Sequence, residues 1–203
     1  MEEEKSFPNW EELYQKQRVE EMPWYHPELD PDIVRCLATY GIDSGHVLDL
    51  GTGPGTQAMT LAGKGFQVTA SDISESALNL AREKAWDRGL VIDFVLDDIL
   101  QTVLTGPFDL VIDRGCFHVF APALRPLYVQ NMRQILGPGG LLFLKTFSHR
   151  ETRPDGPYRF SVDQIRGYFG AEFDILETWD SIYQGTLEVF PLALCCVLRR
   201  KQG

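Results

Sequence analysis

Residues 47–56 read Val-Leu-Asp-Leu-Gly-Thr-Gly-Pro-Gly-Thr, an apolar strand that turns through a glycine at every second position. Glycine lets a backbone take positive φ and approach a ligand closely. A glycine turn leading from strand into helix aims free N–H groups at a bound group. Asp49 makes the turn unusual. A carboxylate just before a diphosphate site would repel the phosphates, whereas it attracts a ligand carrying positive charge. The spacing also departs from the dinucleotide pattern G-x-G-x-x-G, because Thr56 stands where the third glycine packs helix on strand.

Around this turn the chain alternates strand and helix. Strands are predicted at 46–50, 66–71, 91–96, 109–113 and 141–147, the last an almost unbroken apolar run of the kind buried on both faces. Helices are predicted at 55–64, from the Ser74 cap to about Arg88, at 122–136, and at 162–169 behind Ser161. Such alternation builds a parallel, doubly wound sheet with right-handed crossovers. Two further strands, 173–179 and 189–200, are separated by a turn at Tyr183-Gln184-Gly185 and are expected to form an antiparallel hairpin. Residues 1–45 read as a helical arm, and 46–203 as the remainder of a single domain.

Composition narrows the partners. A net charge of −10, without a Lys/Arg cluster, disfavours nucleic acid and anionic membrane surfaces. The polar start Met1-Glu2-Glu3-Glu4-Lys5 lacks the apolar stretch of a signal peptide, and no apolar run is long enough to span a bilayer. Cys36, Cys116, Cys195 and Cys196 form no C-x-x-C pair and read as free thiols of a reducing cytoplasm. The His and Cys residues show no metal-ligand spacing, so no metal is expected.

The turn Gly51-x-Gly53-x-Gly55, preceded by Asp49, resembles the cofactor turn of class I S-adenosylmethionine (SAM)-dependent methyltransferases, and the likeness covers about residues 45–147. It implies a Rossmann-like α/β fold, mostly parallel and seven-stranded in the order 3-2-1-4-5-7-6, with helices on both faces. It implies SAM as methyl donor, with S-adenosylhomocysteine as product. The glycine turn then lies beside the methionine end of the cofactor. Asp72 ends the second strand, where a carboxylate accepts both ribose hydroxyls, and Ile73 follows it. Asp98 takes the adenine amino group, and Ile99 supplies backbone and an apolar face. Asp113 resembles the acid at the end of the fourth strand, in the loop between cofactor and substrate.

That loop, Asp113-Arg114-Gly115-Cys116-Phe117-His118, holds the expected catalytic residues Asp113 and His118, the latter as general base because imidazole titrates near neutrality. The arm carries Trp10, Tyr14 and Pro23-Trp24-Tyr25-His26-Pro27. Its aromatic faces suit a cover over a sulfonium or a substrate. The arm is similar, more loosely, to that of thiopurine S-methyltransferases and tellurite-resistance methyltransferases, in which the Trp closes the cofactor site. Trp24 is therefore a cofactor candidate, and Tyr25-His26-Pro27 departs from the usual Asp after the Trp. Substrate candidates are Trp10, Tyr14, Tyr25, Arg114 and Cys116, with His149, Arg153 and Tyr158 from the loop after the fifth strand. The expected acceptor is a small molecule with a sulfur, nitrogen or oxygen nucleophile, served by a monomer or homodimer. An NAD-binding oxidoreductase and a non-catalytic SAM-binding module are the alternatives.

Overall fold

The computed structural model describes residues 4–202. Its strands are β1 (His46–Leu50), β2 (Gln67–Asp72), β3 (Asp93–Leu96), β4 (Phe108–Asp113), β5 (Leu136–Ser148), β6 (Arg159–Phe160), β7 (Phe173–Ile182) and β8 (Leu192–Arg200). The helices are α1 (Trp10–Lys16), α2 (Pro31–Tyr40), α3 (Thr56–Gly63), α4 (Glu75–Asp87), α5 (Arg125–Ile135) and α6 (Val162–Phe169). The sheet runs β3-β2-β1-β4-β5-β8-β7, parallel until β8, which is antiparallel to both β5 and β7. This is the expected order, with β7 and β8 as the terminal hairpin.

Several element ends differ from the sequence reading by one to three residues, the start of α5 among them, and two features depart from it further. β6 is an eighth strand of two residues, paired in parallel with the end of β5. β5 begins at Leu136 and runs through Gly137-Pro138-Gly139-Gly140 instead of starting at 141. The register shifts between Phe108 and Leu110, and Gly140 is needed there because a Cβ would lie 3.0 Å from the Phe108 carbonyl oxygen. α5 starts at Arg125 rather than 122, with Pro126 in its first turn, where the missing N–H has no helical partner to lose.

Alternation of side chains along the buried strands feeds two cores. Leu48, Leu50 and Val111 face α5 and α6, while Val47, Leu110 and Ile112 face α2 and α3. Ile33, Cys36 and Leu37 of α2 belong to that second core, so α2 is a layer of the domain rather than part of an overlying arm. Only the stretch before it crosses the carboxyl edge of the sheet, where Tyr14, Val19 and Met22 pack on Ala77 of α4. Glu11 fastens this stretch. Its carboxylate accepts from the hydroxyls of Ser76 (2.6 Å) and Ser74 (2.7 Å) and from the Ser76 amide (3.0 Å). These bonds hold its pKa down to about 2.

A buried ionic network ties the start of α2 to the sheet. Asp30 caps α2 by accepting from Asp32 N (3.0 Å), and it also receives Lys145 Nζ (2.8 Å) and Arg114 Nε (2.6 Å). Lys145 reaches Asp32 as well, at 2.7 Å, and Trp179 Nε1 donates to the other Asp32 oxygen at 2.8 Å. Burial opposes the charge on Asp30 and Asp32, yet the neighbouring cations outweigh it and hold both carboxyls below their ordinary value. Lys145→Ala removes the cation that Asp30 and Asp32 share, leaving buried Asp30 with Arg114 as its one remaining cation among the described residues, and is expected to cost about 3 kcal/mol in urea unfolding. Lys16→Ala, which removes an exposed pair with Glu12, is expected to cost less than about 1 kcal/mol. Equal losses from the two substitutions would contradict this assignment of the network.

Candidate active site

The chain leaves β1 toward β2 on one side, and β4 lies on the other, so the order of strands reverses between β1 and β4. Ligands of open α/β sheets bind outside the carboxyl ends at such a point. The loops after β1 and β4 meet there, and a Cβ on Gly51 (φ +64°) would collide with Cys116 Sγ. Above them opens a cleft of about 520 Å³ including its mouth, lined by Asp49, Gly51, Thr52, Gly53, Tyr14, Trp24, Tyr25, His26 and Arg114, among others.

Asp49 lies buried at the base of this cleft. Its Oδ2 accepts from the Thr52 hydroxyl (2.6 Å) and from Ala58 N in the first turn of α3 (3.1 Å). Two donors do not offset burial, and its pKa rises to about 6. Asp72 accepts from Gly53 N (2.8 Å) and Ser74 N (2.9 Å), which fixes the glycine turn to the end of β2. Burial raises its pKa too. Gly55 (φ +78°) sits behind the cleft as the α3 cap, where a Cβ would press 2.9 Å from the Ala81 Cβ. Ile73 is 54% exposed beside the end of β3, an apolar surface open to a planar ring. Asp98 is half-buried and caps its own short turn by accepting from Leu100 N at 2.9 Å. The Ile99 side chain is buried in the core, so it offers no apolar face to a ligand. Asp97, next to it, is buried, with Oδ1 accepting from Val103 N (2.8 Å) and Oδ2 without a donor among the described residues.

The two catalytic candidates do not sit as bases. Asp113 accepts from Gly115 N (2.9 Å), Cys116 N (2.7 Å), Phe117 N (2.9 Å) and the Tyr128 hydroxyl (2.6 Å). Four donors saturate a carboxylate that lies fully buried, and its work is to shape the loop. His118 Nδ1 lies 3.2 Å from Phe147 N. An amide can only donate, so Nδ1 accepts and the ring proton is on Nε2. Burial, helped by Arg114, pushes the His118 pKa down to about 3. Cys116, a substrate candidate, packs its Sγ against Gly51 beneath the cleft, and burial with the carboxylates of Asp113, Asp72 and Asp49 pushes its thiol well up.

The other substrate candidates divide. Tyr14, Tyr25 and Arg114 line the cleft, and the Tyr14 hydroxyl lies over Gly53, 2.7 Å from where a Cβ would stand. Arg114 donates to Asp30, to the Trp24 carbonyl (3.1 Å) and to the Gln184 carbonyl (2.7 Å). Trp10 does not line the cleft and braces Trp24 edge-on at 5.7 Å. His149 is exposed, Arg153 pairs with Glu151 at 3.1 Å, and Tyr158 is a core residue whose hydroxyl accepts from Lys5 N at 2.9 Å. None of these three lines the cleft, because β6 and the core hold their loop elsewhere. Sequence reasoning gave no role to His26, Gln57, Asp30 or Lys145. A lone lysine in the apolar run Leu-Leu-Phe-Leu-Lys-Thr-Phe was the available signal, since a buried cation requires partners.

No helix among the described residues is long and apolar enough to cross a membrane, and no group of three metal-ligating side chains occurs among them. Residues 47–140 match the family model described as a methyltransferase domain. A probable thiol methyltransferase 2 from Arabidopsis thaliana is 28% identical over 163 residues, 79% of this chain and 71% of that protein. An uncharacterized methyltransferase of Schizosaccharomyces pombe is 33% identical over 122 residues, 58% of this chain and 84% of that one. A thiopurine S-methyltransferase of Legionella pneumophila is 24% identical over 91% of both chains. A solved structure concerned with conversion of a disulfide bond into a thioacetal group in echinomycin biosynthesis superposes with TM-score 0.83 at 27% identity, covering 95% of this chain and 90% of that one. The chain therefore belongs to the methyltransferase-domain family, the Rossmann-like enzymes that take their methyl group from SAM.

The raised pKa of Asp49 has a measurable cost. Between its ordinary 3.8 and about 6 the folded protein keeps a proton that the unfolded chain has lost, so stability falls as pH rises through that window. Above it the penalty is about 3 kcal/mol. Asp49→Asn is expected to stabilise the ligand-free protein by up to about 3 kcal/mol near pH 8 and by nothing near pH 4, read from urea midpoints. A loss of stability near pH 8 would contradict the assignment.

Proposed function

We propose that this protein transfers the methyl group of SAM to the sulfur of a small-molecule thiol by in-line displacement. When bound, SAM supplies an activated methyl group on a sulfonium. The donor set suits it: Asp49 is a buried, under-satisfied carboxylate beside a glycine turn, and a cation placed there restores its charge. In this reading Asp49, Gly51 and Gly53 hold the methionine end, with Trp24 covering it. Asp72 takes the ribose hydroxyls, and Ile73 and the Asp98 turn take adenine. The residues align the acceptor with the methyl group, and orientation of this kind is worth ~7–11 kcal/mol.

The observation that carries the choice of sulfur is the state of the β4 loop. Asp113 is saturated and His118 has its acceptor lone pair committed to Phe147 N, so neither takes a proton from the acceptor. With no base in the β4 loop, acceptors whose proton is most easily removed are favoured. A thiol ionises near pH ~8.5, against ~10 for a phenol and ~10.4 for an alkylammonium. The names of the thiol and thiopurine methyltransferase relatives support the same class. With SAM and a panel of aliphatic thiols, amines and phenols, release of S-adenosylhomocysteine is expected with thiols at least about tenfold above the rest. Turnover confined to amines or phenols would overturn the reading. Asp72→Ala is expected to weaken SAM binding by about 2 kcal/mol or more, measured by calorimetry. Unchanged affinity would remove Asp72 from the site.

A further inference from the structure

With Asp113 and His118 committed to the loop, one imidazole still lines the cleft, and it comes from the other wall. His26 lies in the arm between Tyr25 and Pro27, half-buried, on the same cleft as Asp49, Gly51 and Gly53. Its Nδ1 is 2.9 Å from the Glu28 carbonyl oxygen, and the Glu28 amide is farther off, at 3.3 Å. The shorter contact is satisfied by Nδ1–H donating to the carbonyl, which leaves the Nε2 lone pair unprotonated. The carbonyl is itself anchored. It also receives Gln57 Nε2 at 3.1 Å, and Gln57 Oε1 accepts from Asp30 N at 2.8 Å. The orientation of the ring is thus coupled, through Gln57, to the helix cap at Asp30 and the Lys145 network.

We propose that His26 is the general base of the transfer, taking the acceptor proton on Nε2 while Nδ1 donates to the Glu28 carbonyl. The inference rests on the thiol reading above for its substrate, though not for its geometry. In the step, the S–H proton of the acceptor moves to Nε2. The freed sulfur pair forms the bond to the methyl carbon, and the bond from that carbon to the sulfonium breaks, its pair remaining on the departing thioether sulfur. The imidazolium then returns its proton to water at the mouth of the cleft. A hydrogen bond from Nδ1 to a fixed carbonyl sets the tautomer and strengthens when the ring is charged, which is the usual way a histidine base is oriented. The charged or titratable groups that line the cleft with it are Tyr14 and Tyr25 from the arm, Asp49 from the end of β1, and Arg114 after β4.

Two measurements test the assignment. In the ligand-free protein, ¹⁵N-imidazole spectra are expected to show His26 as the Nδ1–H tautomer. In kinetics, His26→Ala and His26→Gln are expected to bind S-adenosylhomocysteine as the wild type does. Both are expected to lose about 100-fold in kcat/KM below neutrality, with the deficit closing above pH ~8.5, where a thiol ionises without help. An Nε2–H tautomer, or variant profiles parallel to the wild type, would overturn the proposal. The failure of the thiol reading has a different signature: amines or phenols are turned over instead, and the variants still show a pH-dependent loss on those acceptors.

Discussion

Three carboxylates, Asp49, Asp72 and Asp113, are buried side by side where β1, β2 and β4 end, and the rest of the site follows from how each is satisfied. Burying an ion without partners is among the most expensive things a fold can do. Asp113 meets the requirement with four donors and becomes a structural pivot for the β4 loop. Asp72 meets it with the amides of Gly53 and Ser74, which ties the glycine turn to α4. Asp49 also has two donors, the Thr52 hydroxyl and one amide, but both fall on Oδ2; burial raises the pKa of all three acids and lifts that of Asp49 to about 6. In the proposed reading, a cofactor with a cationic methionine end offsets that burial, and Asp49 is the acid that faces it.

The second ionic arrangement acts at the opposite wall. Lys145 and Arg114 are matched by Asp30 and Asp32, which neutralises the cluster and lets it lie under the cleft without an uncompensated charge. Its effect is positional. Arg114 grips the Trp24 and Gln184 carbonyls, and Gln57 links Asp30 to the carbonyl that holds His26. The arm, the β4 loop and the β7–β8 turn are therefore fixed relative to one another by one set of hydrogen bonds. Arm residues on that cleft wall can contribute chemistry with the precision of groups on a strand.

Much of this was legible from residue order. The alternation of elements predicts a parallel sheet ending in a hairpin, and the resemblance carried by the glycine turn with Asp49 implies the strand order and the cofactor, because these signals are local in the chain. The Ser74 and Ser161 caps were readable for the same reason, each side chain accepting from an amide three residues on. What failed depended on contacts distant in sequence. His118 loses its base role to Phe147 N, 29 residues away, and Asp113 is saturated in part by Tyr128. Ile99 turns into the core, and Tyr158 does so beneath Lys5. The Gly137–Gly140 segment reads as a breaker by composition, and it is extended in β5 but unpaired, bulging out between the Phe108↔Leu136 and Leu110↔Leu141 pairs.

The central claim is that a buried carboxylate at the end of β1 recognises the positive charge of the cofactor. Calorimetric affinity for SAM, measured from about pH 5 to about pH 8 on the wild type and Asp49→Asn, tests it most directly. The account predicts wild-type affinity that weakens as pH falls through about 6. It predicts Asp49→Asn affinity at least about tenfold weaker near neutrality and flat across the range. A wild-type affinity independent of pH, and matched by Asp49→Asn, would contradict it.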